Sequence, residues 1–240
     1  MNCSPSLVGR CVFAAVLVFC ATPFSGPAQA AGQQPTRSAI GPGDVNTSVS
    51  RVYTFVDKTG LGHQHAIEGK LLSGRLMVGA RENAGQLVFD MRSFDADTTK
   101  ARRFIGLEGT TSESTRTQVN DNMRGSDVLD VSRYPTATFD VVSVIATGRS
   151  GKQGPPVYSL SGTFTLHGVT KPLEVNVEID QQQGWLHLRG SFSINQTNYG
   201  ITPYSKAFGA IGVADQLRIH GDLYVAPNSR VSMQEIPHRK

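Results

Sequence analysis

The amino-acid sequence predicts an all-β fold, an antiparallel β-barrel of about eight strands with a short helical or loop insertion. Two patterns lead to this prediction. Apolar and polar residues alternate with a period of two in many segments, and turn residues such as Gln183-Gly184 and Gly168-Val169 separate these segments. The alternation is typical of antiparallel strands with one buried and one wet face. Closure into a barrel would leave no exposed edge strand, and an open sandwich is the alternative architecture.

The N-terminal segment differs in composition from the rest of the chain. Arg10 is its only charged residue, an apolar run follows from Cys11 to Ala21, and Ala28-Gln29-Ala30 has the small residues of a cleavage site. This order is typical of a secretory signal peptide, because the apolar run is shorter than the ~20 residues that a membrane-spanning helix needs. Residues 1–30 are therefore predicted to be a signal peptide, with a short N-terminal anchor as the alternative. The mature chain is expected in the periplasm or outside the cell, without a transmembrane segment.

Composition restricts the chemistry of the mature chain. All three cysteines, Cys3, Cys11 and Cys20, lie in the predicted signal peptide, which excludes disulfides, cysteine nucleophiles and zinc–thiolate sites. Removal of Arg10 lowers the formal net charge from +4 to +3. The basic residues are scattered, with Arg102-Arg103 as a local pair, so the basic surface of a nucleic-acid-binding protein is missing.

Two segments with little to bury flank the predicted domain. Residues 31–48 are rich in Gly, Pro and small polar residues and are predicted to be a flexible linker. Residues 227–240 have no periodic apolar face and are predicted to be a flexible tail. The barrel domain is therefore expected to span residues 49–226.

Alternating segments follow one another along this domain. In the clearest of them, Leu173 to Ile179, four apolar residues alternate with Glu174, Asn176 and Glu178. Three strands also carry a glycine on the apolar face, namely Gly162, Gly190 and Gly221, which either leaves room for a ligand or marks a bulge or bend. The candidate strands are residues 51–57, 65–72, 75–80, 86–91, 136–145, 158–166, 173–179, 186–194 and 217–225.

The segment from Ser93 to Arg133 interrupts this pattern. A connection of this length in a compact domain is usually a functional lid or contains its own secondary structure. Ser114 or Thr115 is expected to cap a short helix that continues through Met123, with Val119 and Met123 on one face. The sequence thus predicts a helix that closes one mouth of the barrel.

Motifs for catalysis are missing from the sequence. It has no G-x-S-x-G elbow, no H-E-x-x-H and no G-x-G-x-x-G, so no catalytic residue is assigned and the protein is not expected to be an enzyme. His63 and His65 would share a face on a strand and could hold a metal ion, with His187 or His220 as third ligand. Ordinary hydrogen bonding at the start of a strand is the preferred interpretation, and no metal is predicted.

The apolar faces contain bulky residues that could form the wall of a cavity. Together with the inward glycines, bulky aromatic residues favour an elongated apolar cavity over a uniformly filled interior, although core packing is the alternative. The candidate wall residues are Phe89, Phe139, Phe164, Leu166, Phe192 and Ile194.

Three blocks of the sequence resemble the YceI-like family of polyisoprenoid-binding proteins. The first is Tyr134 to Phe139, preceded by Val128-Leu129-Asp130, the second is Gly162 to Leu173, and the third is Asn198 to Ile201. His65 matches a histidine near the first strands of the family. The second block is the most specific, because it combines a hairpin turn with a proline that can start a strand but not occupy its middle.

The resemblance implies an exported, lipocalin-like barrel with a long isoprenoid or another extended lipid in its core. It implies that Phe139, Phe164 and Leu166 form part of the cavity wall, and that the structural turn residues are His167, Thr170, Pro172 and Gly200. One segment departs from the family. Where the family has a pattern similar to Arg-Asp-x-His-Leu, this chain has Val119-Asn120-Asp121-Asn122-Met123. The change removes a basic residue and a histidine near the expected mouth, which favours a neutral ligand such as a quinone, a fatty amide or an undecorated isoprenoid.

The expected function is therefore the binding or carriage of a long-chain apolar small molecule. No cofactor is expected, and the bound group is an isoprenoid or another lipid-like ligand. A hydrolase or isomerase that acts on a lipid inside the barrel is one alternative. A ligand-free envelope module with a solid barrel is the other. The sequence leaves the oligomeric state open, a dimer included.

Overall fold

The structure is a computed structural model that describes residues 40–151 and 154–228. The predicted signal peptide, residues 31–39 of the predicted linker and residues 229–240 of the predicted tail lie outside these ranges. The strands are β1 (Arg51–Gly60), β2 (His65–Leu76), β3 (Gly85–Ala96), β4 (Thr136–Ser150), β5 (Pro156–Leu166), β6 (Val169–Gln182), β7 (Trp185–Asn195), β8 (Ser205–Lys206) and β9 (Ile211–Val225). The helices are α1 (Thr99–Ile105) and α2 (Glu113–Arg124), with short 3-10 helices at Gln196–Tyr199 and Ala207–Gly209.

The strands form one closed antiparallel barrel. Their order is β1-β2-β3-β4-β5-β6-β7-β9-β8, and β1 also pairs with β9, so eight long strands complete the ring and β8 adds two residues beside β9. The predicted antiparallel barrel is confirmed. The candidate strands 65–72 and 75–80 merge across register shifts into β2, which ends at Leu76.

Two tight turns set the register of the hairpins. Leu166 pairs with Val169 and Gln182 pairs with Trp185, so each hairpin has a two-residue loop. Both residues of each loop have positive φ, at 51° and 77° for His167-Gly168 and at 50° and 83° for Gln183-Gly184. This conformation matches the twist of the flanking strands. The turn expected at Gly168-Val169 therefore lies one residue earlier, and Val169 begins β6.

Pro172 is the fourth residue of β6 rather than its start. β7 pairs with β6 only from Val177 to Gln182, and so residues 169–176 of β6 have β5 as their ladder partner. Proline has no N–H to donate and is tolerated where one side of a strand is not paired. The sequence analysis expected the proline to start the strand, and this was wrong. The β6–β7 pairing ends at Val177, so β6 has no ladder partner on its β7 side at Pro172 and behaves there as an edge strand.

The two ends of the barrel differ in construction. We call the end that carries the loop of residues 61–64, both α-helices, the β5–β6 turn and residues 196–210 the helical end, and the opposite end the packed end. The packed end is filled by apolar side chains that have no exposed surface or almost none. These residues are Leu76, Val78, Val144, Ile179, Leu186 and Val225.

The fold begins before the predicted boundary at residue 49. Asp44 bridges to Arg75, Val45 bridges to Val225, and the Gly43 N–H donates to the Ala226 carbonyl over 2.9 Å. Val45 is 8% exposed and belongs to the core. Residues 43–46 thus cover the packed end, and their assignment to a flexible linker was wrong. A single apolar residue has no periodicity, so the sequence pattern could not reveal this contact.

The insertion contains two helices. Ser112, rather than Ser114 or Thr115, caps α2, because its hydroxyl accepts the Thr115 N–H over 3.2 Å. The sequence analysis missed α1, which is capped by Thr98 and buries Ala101. Within the described residues, no helix has the length and apolar character needed to cross a membrane.

Gly162 lies at a close approach of β4 and β5. The β4–β5 register shifts between Val141 and Ser143, and a Cβ atom on Gly162 would overlap the Asp140 carbonyl oxygen. We expect Gly162→Ala to lower the free energy of unfolding by about 2 kcal/mol, because the strand backbones would have to separate. Urea denaturation measures this change. Gly221→Ala is the matched control, since a Cβ there meets open space, and equal midpoints for the two variants would contradict the prediction.

Candidate ligand-binding cavity

An apolar cavity occupies the barrel from its middle to the helical end. The cavity volume is about 220 Å³. Aliphatic and aromatic side chains dominate the lining. The polar side chains among the lining residues are those of Thr54, His65, Asn122, Gln196 and Tyr204.

The cavity is blind at one end. None of the six fully packed residues named above for the packed end lines it, so those side chains form its floor and the mouth lies at the helical end. Along β7 the lining extends from Leu188 to Ile194. The six residue steps from Leu188 to Ile194 correspond to about 20 Å, which is long enough for an extended chain.

The structure brings the predicted wall residues together around this cavity. Phe164 lies at the centre, with its ring centroid 6.4 Å from that of Phe89 and 6.1 Å from that of Phe192, both in edge-to-face geometry. Across the β4–β5 ladder, Phe139 pairs with Phe164. The lining includes all six residues chosen from the sequence, Phe89, Phe139, Phe164, Leu166, Phe192 and Ile194.

The three inward glycines differ in what they do. Gly190 and Gly221 pair across the β7–β9 ladder and both line the cavity. A Cβ on Gly221 would find only the Leu223 Cγ within reach, at 4.0 Å, so this glycine widens the cavity. A Cβ on Gly190 would lie 2.6 Å from the Asn176 carbonyl oxygen, so this glycine allows a close strand approach, as Gly162 does. The sequence left open whether these glycines make room for a ligand or mark a local irregularity of the strands. Gly221 makes room, whereas Gly162 and Gly190 lie at close strand approaches.

Helix α2 forms one side of the mouth. Its residues Val119, Asn122 and Met123 line the cavity, as the one-face pattern of Val119 and Met123 predicted. Polar contacts with the end of β3 hold the helix in place. The Asn120 side-chain Oδ1 accepts the Ala96 N–H over 2.8 Å, and the Arg124 Nε donates to the Phe94 backbone carbonyl over 2.8 Å.

Further contacts hold the first half of α2. Arg116 forms two hydrogen bonds with the Asp95 carboxylate, of 3.0 and 2.8 Å, and the Asn120 amide donates to the same carboxylate over 2.7 Å. Val56, Tyr204 and Val213 also line the mouth.

A buried ionic network supports the mouth beside His65. The Asp97 side chain is 1% exposed; its carboxylate contacts His65 Nδ1 at 2.8 Å and accepts hydrogen bonds from Arg102 and the Ala66 N–H, both over 3.1 Å. Burial raises the pKa of Asp97, but the bonds to His65, Ala66 and Arg102 outweigh it and hold that pKa below its usual value of 3.8. Since the carboxylate is ionised and can only accept, His65 Nδ1 is the donor.

The four histidines considered as metal ligands do not converge. His63 is exposed in the loop after β1, whereas His65 is engaged with Asp97. His187 lies near the packed end, where its Nε2 is 2.6 Å from Asp222 Oδ1 and its ring stacks on Tyr224. His220 packs edge-on against Phe104, and burial together with the charge of Arg218 lowers its pKa. Within residues 40–151 and 154–228, no group of three His, Cys, Asp or Glu side chains could hold a metal ion.

Sequence reasoning missed several residues of the mouth. Thr54 occupies an inward position in β1 where alternation predicts an apolar side chain. Gln196 lies in a short 3-10 helix and Tyr204 in a loop, and neither segment has the periodicity of a strand. Val213 was missed because β9 begins at Ile211, six residues before the predicted start at Leu217. The apolar alternation of Ile211 and Val213 was the available signal, and Asp215 interrupts it.

The three sequence blocks that resemble a known family meet at the helical end. The Tyr134 ring centroid lies 4.3 Å from that of His167, and a Cβ on Gly168 would lie 2.8 Å from the Tyr134 ring. A Cβ on Gly200 would come within 3.9 Å of the His167 ring. Gly200 has φ at 71°, which suits a glycine that ends a 3-10 helix.

Comparisons with known proteins identify relatives of this chain. Over 123 residues the chain is 29% identical to UPF0312 proteins of Pseudomonas aeruginosa, a match that covers 49% of this chain and 59% of those relatives. The match therefore spans less than two thirds of their length. A UPF0312 protein of Azotobacter vinelandii is 31% identical over 84 residues, or 35% of this chain and 41% of that protein.

A solved structure has the same fold. The polyisoprenoid-binding domain from Saccharophagus degradans superposes with a TM-score of 0.53 at 15% identity, over 77% of this chain and 98% of that domain. The family model of the YceI-like domain matches residues 44–225, from the Asp44 bridge to the last residue of β9. Because this match covers most of the chain and the whole barrel, the chain belongs to the YceI-like family.

Proposed function

We propose that this protein is an exported binding or carrier protein that holds one long, apolar, lipid-like molecule in its barrel. The blind apolar cavity that opens at the helical end is the observation that carries the proposal. The similarity to a domain described as polyisoprenoid-binding supports the same class of ligand. The predicted signal peptide supports a location in the periplasm or outside the cell.

The energetics favour a long ligand. At about 25 cal/mol per Å², burial of about 400 Å² of apolar ligand surface would contribute about 10 kcal/mol. Micromolar retention needs about 8 kcal/mol after the entropic cost of ordering the ligand. A chain that follows the cavity over about 20 Å could reach this range, whereas a short apolar molecule could not.

The lining favours a ligand with a neutral head group. Among the described residues that line the cavity, His65 is the one with a basic side chain, and its Nδ1–H is held by Asp97. The α2 residues at the mouth are Val119, Asn122 and Met123, which offer an amide but no positive charge. A quinone, a fatty amide or an undecorated isoprenoid fits this lining better than a pyrophosphate, which would need paired cations.

The proposed role is retention of the ligand without chemical change. His65 and Asp97 resemble a general base with its orienting carboxylate, and a hydrolase or isomerase would need such a pair. However, Arg102 shares the Asp97 carboxylate, and the hydroxyl groups in the lining belong to Thr54 and Tyr204. We therefore assign His65 a positioning role at the mouth and no catalytic one.

Solvent extraction tests the proposal. Protein purified from its native host without detergent is expected to release about one long-chain, neutral, apolar molecule per folded chain, identified by mass spectrometry. The same chain carrying Gly221→Phe, which places a ring inside the cavity, is the matched control and should release much less. An empty extract from folded protein that also fails to take up long-chain quinones or isoprenoid alcohols would contradict the proposal.

A further inference from the structure

Three large apolar side chains project into solvent at the helical end. Leu61, in the loop after β1, is 79% exposed, Phe208, in the loop after β8, is 113% exposed, and Ile211, at the start of β9, is 42% exposed. We call these three residues the apolar tip. Single exposed apolar residues are common, but a group that includes a fully exposed phenylalanine marks an interaction site.

The two loops that present the tip are joined by backbone contacts. The Leu61 N–H donates to the Ala210 carbonyl over 2.9 Å, and Gly60 pairs with Ile211 at the end of the β1–β9 ladder. A Cβ on Gly62 would overlap the Gly212 carbonyl oxygen, so the loops are in direct backbone contact. The three side chains therefore belong to one unit.

Phe208 is held in an unfavourable backbone conformation. Its φ is 55° and its ψ is 35°, in the left-handed region that bulky residues rarely adopt. On either side of its loop, Lys206 pairs with Ile211, and the Ala210 N–H donates to the Ala207 carbonyl over 3.1 Å. This conformation directs the ring away from the barrel, where it buries nothing in the protein itself.

The apolar tip adjoins the mouth of the cavity. Val56 and Val213, which line the mouth, lie on β1 and β9; Leu61 directly follows β1, and Ile211 begins β9. Tyr204, which also lines the mouth, precedes β8, and its carbonyl accepts the Val213 N–H over 3.1 Å. A surface that received the tip would therefore face the opening.

Two exposed lysines stand next to the apolar tip. Lys206 pairs with Ile211, and Lys58 pairs with Val213, two residues farther along β9. The carboxylates of Asp57 and Asp215 lie on β1 and β9 as well and accept hydrogen bonds, Asp57 from Gln64 and the Lys58 N–H, and Asp215 from the Thr197 N–H and hydroxyl. Lysines beside exposed apolar side chains match the interface of a bilayer that contains anionic lipids.

We propose that the apolar tip is a membrane-docking element that inserts into the interface of an anionic bilayer and places the mouth against it. A bilayer is favoured over a protein partner because the tip is convex, and lipid accepts a protrusion without a complementary pocket. Transfer of an apolar ligand from the bilayer into the cavity rests on the proposed function, whereas insertion of the tip does not.

Fluorescence of single tryptophans tests which end inserts. Trp185 is the one tryptophan of the chain and begins β7 at the packed end, opposite the tip. The double variant Phe208→Trp with Trp185→Phe moves the indole to the tip. Both proteins are titrated with vesicles of phosphatidylcholine and phosphatidylglycerol, with and without brominated acyl chains. We expect a blue shift and quenching for the indole introduced at position 208, and neither for Trp185.

A second pair of variants separates the tip from other membrane contacts. Leu61→Ser should weaken partitioning onto these vesicles by about tenfold, whereas Leu72→Ser, at a 55% exposed leucine in β2, should leave it unchanged. All variants share the same termini, so any contribution of residues 1–39 is equal in each of them. No quenching at position 208, whether or not the protein floats with the vesicles, would overturn the proposal.

Solvent extraction of the same preparations separates the two proposals. Quenching at position 208 with an empty, non-binding cavity would retain the docking element and reject the carrier role. Recovered lipid without quenching at position 208 would retain the carrier role and reject the docking element.

Discussion

Gly221→Phe is expected to weaken the binding of a long apolar ligand by about 70-fold. The side chain at this position projects into open space within the cavity, and the added ring would displace ligand from the glycine-lined part of the wall. If the ligand loses about 100 Å² of buried apolar surface, the loss is about 2.5 kcal/mol, which corresponds to this factor. Titration with a fluorescent long-chain probe, calibrated against the extracted lipid, measures the change.

Two comparisons make this result specific to the cavity. Gln216→Phe puts the same ring on the exposed outer face of the same strand and should not change the affinity. A series from Gly221→Ala through Gly221→Leu to Gly221→Phe should weaken binding progressively, since each member fills more of the space. Unchanged affinity in a folded Gly221→Phe protein would show that the ligand does not occupy this part of the barrel.

Asp97→Asn is expected to lower the free energy of unfolding by about 3 kcal/mol at neutral pH. The carboxylate is buried and accepts hydrogen bonds from His65, Arg102 and the Ala66 N–H, so removal of its charge leaves a partly buried guanidinium without its counter-ion. Asparagine tolerates the left-handed conformation of this residue, with φ at 53°, so backbone strain adds little. Urea denaturation checks the value. Asp140→Asn, at an exposed aspartate on β4, should cost less than about 0.5 kcal/mol.

The stability difference between Asp97→Asn and the unchanged protein should depend on pH. The folded-state pKa of Asp97 lies below its value of 3.8 in the unfolded chain, so the unfolded state binds the proton first as the pH falls. The contribution of this carboxylate is therefore complete above about pH 5 and decreases as the pH falls below about 4 toward the folded pKa. Unfolding midpoints at several pH values measure this change. A difference that stays constant down to about pH 3 would contradict the assigned network.

The sequence predicted most of the barrel because its strands repeat one local pattern. Each apolar residue from Leu173 to Ile179 indicates by its spacing which face it occupies, and the same rule placed Phe164 and Phe192 toward the interior. The structure then brought these side chains around one cavity. The errors occurred where the pattern is short or interrupted, as at Val45, at helix α1 and in the first residues of β9.

The role of the inward glycines shows the limit of local patterns. Gly162, Gly190 and Gly221 occupy equivalent positions in three alternating strands, yet only Gly221 leaves open space. The difference depends on where neighbouring backbones approach, at the β4–β5 register shift for Gly162 and near Asn176 for Gly190. These close approaches involve residues that are far apart in sequence, so the sequence of a single strand cannot predict them.

By itself the sequence determined the antiparallel barrel, the inward set of apolar side chains and the family, because alternation and the three sequence blocks are local properties. Only the tertiary structure decided that one end of the barrel is filled and the other open, and that Asp97 links His65 to Arg102. It also showed that Leu61, Phe208 and Ile211 stand together beside the mouth. These features depend on closure of β1 onto β9, which brings the two ends of the domain together in space.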